Sequence, residues 1–305
     1  MRIYYSDHYD LNLPSNHRFP SRKYGMLRRA LVDEGVLARD ALIRAPFVEE
    51  ADLLRAHDRD YVAAIDTGEI DAGAMRRIGF SWSAQIAKRA RATMGGAIAA
   101  AETALDEGIS GQLAGGTHHA HYDFGSGYCI FNDFAVAALA MIARGLCEKI
   151  AIVDLDVHQG DGNAAILGGR DDVFILSVHG EKNFPFRKVA SSLDVALPDG
   201  VGDGDYLAAL APALDAVWAF QPDLILYQAG VDPLAEDLLG RMALTHNGLM
   251  ERDRMVLAGA KARGIPVSMA IGGGYADPIE NTVAAYVNTY RIAREVFAPQ
   301  PRISA

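Results

Sequence analysis

The chain has 305 residues, half of them hydrophobic, a formal net charge of −10 and two cysteines, Cys129 and Cys147. That composition can bury a large core; it excludes a general nucleic-acid binder on charge and a disulfide-stapled scaffold on cysteine number. The acidity is compatible with a cationic substrate.

No apolar run of about 18 residues escapes interruption by charge, as a spanning helix would require. Asp7 and His8 follow Met1–Ser6 too soon to leave room for the apolar core of a secretion signal. A cytoplasmic protein without a membrane span is the expectation. No Pro/Ser-rich linker, low-complexity run or internal repeat divides the sequence, so one α/β domain is expected over residues 1–305.

In chain order, Arg2 to Tyr5 reads as a first strand and Ser6 to Pro20 as a long, polar loop. Ser21 is placed to cap a helix through Tyr24, Leu27 and Leu31, with Gly35 near its end. Leu42 to Ala45 reads as a second strand. Glu49 to Ala56 and Asp58 to Ile65 read as short helices, and Ala84 to Leu105 as a long Ala-rich one. Gly79 to Ser83 is a turn carrying Phe80 and Trp82.

Leu113-Ala114-Gly115-Gly116-Thr117-His118-His119-Ala120 reads as a short strand running through paired glycines into tandem histidines. Glycines allow a sharp turn or a close backbone approach, which sets two imidazoles at a strand end. Gly125 to Asp133 is a glycine-loosened loop with aromatic walls, leading into a helix from Phe134 to Arg144. Ile150-Ala151-Ile152-Val153-Asp154 then opens the most informative stretch: a buried, β-branched strand followed by Asp156, His158 and Asp161. Residues two apart share a face of a strand, so Asp154, Asp156 and His158 are expected to project together. A buried strand has no use for them unless they are paired or bind metal. A plain N-cap would explain Asp161 alone.

Val173 to His179 is another buried strand, and Gly180 to Gly204 a loop with Phe184 and Phe186 at a pocket rim. Asp205 to Phe220 is helical. Asp223 to Gly230 is a strand delivering Asp232, a residue that before Pro233 could be a mere turn former. Thr245 to Arg263 is a helix, Ile265 to Ile271 a last strand entering Gly272-Gly273-Gly274-Tyr275, and Asp277 to Val296 a final helix. The alternation implies a mostly parallel central sheet with helices on both faces. Such sheets hold ligands at the carboxyl ends of their strands. Two carboxylates and one imidazole would leave a metal an open position, as a catalytic zinc site requires.

The combination of Gly115-Gly116-x-His118-His119-Ala120, Gly127-Tyr128-Cys129-x-Phe131-Asn132-Asp133, Asp154-x-Asp156-x-His158-x-Gly160-Asp161-Gly162, Ala229-Gly230-x-Asp232 and Gly272-Gly273-Gly274-Tyr275 resembles the metal-dependent histone deacetylase family, which has the arginase/deacetylase fold. The resemblance spans nearly the whole chain with all motifs in order. Gln159, where better-known classes carry a second histidine, and His179 to Pro185 look most like the class IV branch and its microbial relatives.

The resemblance implies that Asp156, His158 and Asp232 bind zinc, with ferrous iron possible for such a donor set. It implies His119 as general base and acid oriented by Asp161, a polarised His118 backed by Asp154, and Tyr275 as oxyanion donor. It implies a structural potassium ion at Asp154, Asp156, His158, Ser177 and Val178. Gly127, Tyr128, Phe186, Leu239 and Gly273 would form the substrate tunnel. The implied reaction is hydrolysis of an acyl-lysine-type amide in a peptide or protein, with fatty acyl groups the expected preference of the class IV branch. The alternative substrate is a small acylated amine. Ser81 stands where the best-known class carries a backbone-gripping aspartate. The chain also lacks the extended insertion of acetylpolyamine hydrolases. The remaining histidines, His8, His17, His57, His121 and His246, read as structural or rim residues. A catalytically silent binding module is opposed by the intact His118, His119 and Tyr275. A dinucleotide-binding protein is opposed by the absence of a glycine fingerprint after an early strand. Composition does not fix the oligomeric state.

Overall fold

The computed structural model describes residues 1–14 and 17–298. Its strands are β1 (Ile3–Tyr5), β2 (Leu42–Arg44), β3 (Ile109–Gln112), β4 (Ile150–Asp154), β5 (Val173–Gly180), β6 (Leu193–Leu197), β7 (Leu224–Gln228) and β8 (Val267–Ala270). They form one sheet in the order β2-β1-β3-β8-β7-β4-β5-β6, and every neighbouring pair is parallel. The α-helices among the described residues are α1 (Arg22–Asp33), α2 (Glu50–Leu53), α3 (Arg59–Thr67), α4 (Ala72–Ile78), α5 (Ala84–Glu107), α6 (Asp133–Ala143), α7 (Asp161–Leu167), α8 (Asp203–Phe220), α9 (His246–Ala262) and α10 (Ile279–Phe297).

The central strands are apolar on both faces because helices cover both. On β4, Ala151 and Val153 pack into one core with Leu27 of α1, Leu214 of α8, Val256 of α9 and Tyr286 of α10. Ile150 and Ile152 point the other way, into a core with Ile65 of α3, Met94 of α5 and Phe134 of α6. The period-two side-chain alternation of a strand thus feeds two separate hydrophobic layers. No helix among the described residues is long and apolar enough to cross a membrane.

Several local expectations are corrected. The strand before the paired glycines is Ile109–Gln112, not Leu113-Ala114. Gly111 lies inside it because an added Cβ there would stand 2.7 Å from the Met269 carbonyl of β8. Strand β4 stops at Asp154, so Asp156 and His158 lie on the bend after it rather than on its face. Ser21 begins α1 with helical backbone angles and no capping bond from its side chain. The edge strand β6 falls in the stretch read as a loop, and α4 in one given no reading: α4 is only seven residues long, and β6 has only one side buried.

Helix α5 lies against the loop at 46–48 through Gly95, whose missing Cβ leaves room for the Pro46 carbonyl and for Val48 N, 2.7 Å from where a methyl would sit. Alanine is about 1 kcal/mol better than glycine inside a helix, but overpacking against backbone costs about 1–3 kcal/mol. Gly95→Ala is therefore expected to lower the urea midpoint despite its better propensity. A midpoint that rises would show that the loop yields freely.

Candidate active site

The four motifs sit on β3, β8, β7 and β4, which are consecutive neighbours in the sheet. Their carboxyl ends therefore deliver His118/His119, Gly272 to Tyr275, Asp232 and Asp154 to Asp161 to one place. Asp156, His158 and Asp232 are buried, and one donor atom from each lies within 4.8 Å of the other two. His158 Nδ1 is 2.9 Å from Asp156 Oδ1 and 3.1 Å from Asp232 Oδ2. Glycines make this convergence possible: an added Cβ at Gly230 or Gly272 would collide with the Asp156 carboxylate, and one at Gly273 with that of Asp232. Two hard carboxylate oxygens and one imidazole nitrogen this close together fit a divalent cation.

Asp154 is paired in register with Ser177 on the adjoining β5. Its Oδ2 is 2.8 Å from His118 Nδ1, and its Oδ1 accepts from Asp156 N. Ser177, followed by Val178 on β5, thus adjoins the Asp154 end of the chain of contacts through Asp156 to His158.

The tandem histidines have opposite electrostatic surroundings. Burial alone would lower His118, but the Asp154 and Asp156 carboxylates reverse that and raise it to about 9. His119 is pushed down to about 3 by burial and by its cationic neighbour His118, against the pull of Asp161. The two rings are 4.1 Å apart. Asp161 is the first residue of α7, with Gly160 at the cap position, so it is not the N-cap. Its carboxylate is held between His119 Nδ1 at 2.6 Å and His121 Nε2 at 3.0 Å. His121, read as a structural or rim residue, is the second partner that holds Asp161.

Tyr275 follows the three glycines on a strap tied down from several sides. Its N–H donates to Asp237 Oδ2 at 2.6 Å. The buried Lys23 ammonium donates to the Gly272 and Gly274 carbonyls at 3.2 Å each and lies 5.1 Å from the Tyr275 ring centre. Tyr286 donates its hydroxyl proton to the Gly273 carbonyl. Burial raises the Tyr275 phenol well above its ordinary value, so it keeps its proton. Asp133 does comparable service for the histidine loop, accepting from Gly116 N at 3.0 Å and from Thr117 N and Oγ1 at 2.8 Å. Sequence reasoning missed Lys23, Asp237 and the role of Asp133. Lys23 on an otherwise apolar helix face was the one available signal; an acid starting a helix reads as a dipole partner.

Gly127, Tyr128, Phe186, Leu239 and Gly273 all line a cavity of about 680 Å³ that also exposes His118, His119, Asp156, His158 and Tyr275. Gly127 is required where it stands: its φ is +53°, and a Cβ would lie 2.6 Å from His119 Cδ2. Phe186 is 84% exposed at the rim, while the Phe184 ring meets His119 edge-on at 4.8 Å. Gly125, at the start of the same loop, packs against Ile78 and Tyr61 and is not part of the cavity lining. Ser81 is exposed and does not line the cavity. The cavity is lined by Arg18, Arg76, Arg77, Arg89, Lys182 and Arg241, while Asp156 is its one carboxylate among the described residues. Arg241 and Lys182 share a single partner, Asp199. The overall acidity of the chain therefore does not extend to its binding cavity.

A parallel sheet with a buried Asp/His/Asp cluster and a paired-histidine loop at its carboxyl edge defines the class of protein, and the residues from 17 to 290 match the histone deacetylase domain model. The chain belongs to the histone deacetylase family and is a hydrolase. It is 43% identical to an uncharacterized protein of Picosynechococcus sp., covering 97% of this chain and 98% of that one. It is 31% identical to histone deacetylase 2 of Arabidopsis thaliana, covering 92% and 78%. The crystal structure of a histone deacetylase homologue from Aquifex aeolicus superposes with a TM-score of 0.81 at 23% identity, over 97% of this chain and 88% of that one, which shows the shared arginase/deacetylase fold.

Asp232→Ala is expected to lose its divalent metal, because the two remaining donors leave the site short of the three-ligand set. Elemental analysis of the purified variant checks this; full metal content would remove Asp232 from the ligand set.

Proposed function

We propose that this hydrolase removes acyl groups from lysine side chains of proteins or peptides, working as one catalytic domain over residues 1–305. Zinc is the ion assigned to Asp156, His158 and Asp232, with ferrous iron as the alternative, and potassium the ion assigned to Asp154, Asp156, His158, Ser177 and Val178. The observation that carries the reading is the pairing of a charged His118 with a neutral His119 beside that ligand set, within reach of one cavity. The divalent ion, when bound, polarises the amide carbonyl and acidifies water.

The chain's own groups then have distinct tasks. Neutral His119 accepts the proton of the attacking water at Nε2, since its Nδ1 faces Asp161. It later passes that proton to the departing amine. His118, whose Nδ1 is paired with Asp154, stays charged and offsets the negative charge that develops on the carbonyl oxygen. Tyr275 donates its phenolic proton to the same oxygen. Burial keeps that phenol neutral, and the strap tied by Asp237 and Lys23 keeps it in place.

A lysyl amide is favoured over an acetylated polyamine by the cationic lining of the cavity, which repels a substrate carrying further ammonium groups. Small acylated amines of neutral or negative charge are the second reading. The apolar walls of the cavity support acyl groups longer than acetyl. The free, buried Cys129 and Cys147 suit a reducing compartment, and we place the protein in the cytoplasm.

Acetyl-lysine peptide is expected to be hydrolysed at least tenfold faster, in kcat/KM, than acetylspermidine; the reverse order would return the polyamine reading. Octanoyl-lysine should at least match acetyl-lysine, and an acetyl preference of tenfold or more would remove the longer-chain reading. Tyr275→Phe should retain metal and fold while losing about 10²–10³ in turnover, and unchanged turnover would remove Tyr275 as donor. The pH profile has a definite sign. His119 must be neutral, and its lowered value keeps it so, so kcat/KM should stay flat through about pH 6.5, where an ordinary histidine titrates. His118 must be charged, so the rate should fall as pH rises past about 9. An acid limb centred near an ordinary histidine value would contradict the assignment of His119.

A further inference from the structure

The cavity does not end at the ligand cluster. Its lining continues along α5, where Ile86, Arg89, Ala90, Thr93 and Met94 recur at helical spacing on one face. At the rim Phe186 and Lys182 are exposed, whereas here Arg89 is only 8% exposed. This buried guanidinium has no carboxylate partner among the described residues. Its Nη1 donates to the Tyr9 carbonyl at 3.3 Å, and its planar head lies 4.4 Å from the Tyr24 ring centre. Asp7 and Asp10 act on it only through space and hydrogen-bond elsewhere: Asp7 is bound by Arg28 Nε at 2.9 and 3.1 Å, and Asp10 accepts from Asn12 N. Beyond the Tyr9 carbonyl and the Tyr24 side chain, the five-donor guanidinium has further N–H groups to offer, on a residue that lines the cavity.

An arginine carries five donors and stays charged at any working pH. Burying it without an anion is costly, and a planar fork with vacant donors matches a carboxylate. The remainder of this wall is apolar apart from Thr93, so a bound chain would meet hydrocarbon along its length and one cation at its end.

We infer that the inner end of the cavity receives the acyl group and that Arg89 binds a carboxylate at its far end, so that amides of dicarboxylic acids, of the succinyl or glutaryl kind, are substrates. This rests on the deacylase reading above and specifies the acyl class for the same site. The reaction balances as amide hydrolysis: water adds its oxygen to the carbonyl carbon, the C–N bond breaks, and the dicarboxylate and a protonated amine leave. A carboxylate could also come from the other side of the reaction, as the product of hydrolysing a plain fatty acyl amide.

The test compares peptides bearing glutaryl-lysine and hexanoyl-lysine, which match in length and differ in terminal charge, with acetyl-lysine as reference. The metal-loaded parent is expected to prefer glutaryl by about tenfold or more in kcat/KM, the scale of a hydrogen bond to a charged group. In Arg89→Met that ratio should collapse toward one, and Arg89→Lys should restore part of it. A purely structural arginine would lower both rates by the same factor and leave the ratio intact, which overturns the proposal. Where Arg89→Met fails to fold, the glutaryl-to-hexanoyl ratio of the parent decides alone. A parent ratio near one, with acetate inhibition that Arg89→Met abolishes, assigns Arg89 to the released product and likewise overturns it. No turnover of any of the three peptides would instead sink the deacylase reading itself.

Discussion

The structure depends on holding three carboxylates, Asp154, Asp156 and Asp232, together in the interior at the carboxyl ends of β4 and β7. Uncompensated, such a group of like charges would repel and take up protons. Each is offset locally. Asp154 faces His118, Asp156 accepts from Gly273 N at 2.6 Å, and Asp232 accepts from Val157 N at 2.8 Å. Even so Asp232 is pushed up to about 7 by burial and by Asp156, which leaves the cluster short of positive charge. A divalent cation held by Asp156, His158 and Asp232 would relieve that residual deficit.

The same charges determine how neighbouring histidines differ. His118 and His119 are consecutive in sequence, yet one is raised and the other lowered. The difference arises because Asp154 and Asp156 both act on His118, while His119 meets one carboxylate and the charge of His118 itself. Two identical side chains thus take opposite shifts from unequal sets of carboxylate neighbours. The scaffolding around them is less chemically specific but equally necessary: Asp133 fixes the loop that carries the pair, and Lys23 with Asp237 fixes the strap that carries Tyr275.

Charge is distributed unevenly over the molecule. The acidic cluster is internal and committed to imidazoles and backbone, while the surrounding cavity presents arginine and lysine. A substrate approaching from solvent meets the cationic lining first, and the field of the buried acids is already spent on their own partners. The net charge of −10 therefore describes the outer surface and not the site.

The amino-acid sequence determined the alternation of strands and helices, the parallel sheet and the residues of the cluster. Buried β-branched runs and glycine-flanked acids and histidines are local patterns, legible one segment at a time. It did not show that β4 ends at Asp154 and that Asp156 and His158 ride on the following bend, because a strand and its exit bend have the same composition there. It missed β6 and α4, which are short and half-exposed. Nor could it show that Lys23, from a helix near the start of the chain, supports glycines some 250 residues later, or that Arg89 lies in the same cavity as Tyr275. Those relations were decided by tertiary structure alone. A side chain's partner across the sheet depends on strand order and on which face each helix covers, and neither leaves a mark on the local sequence.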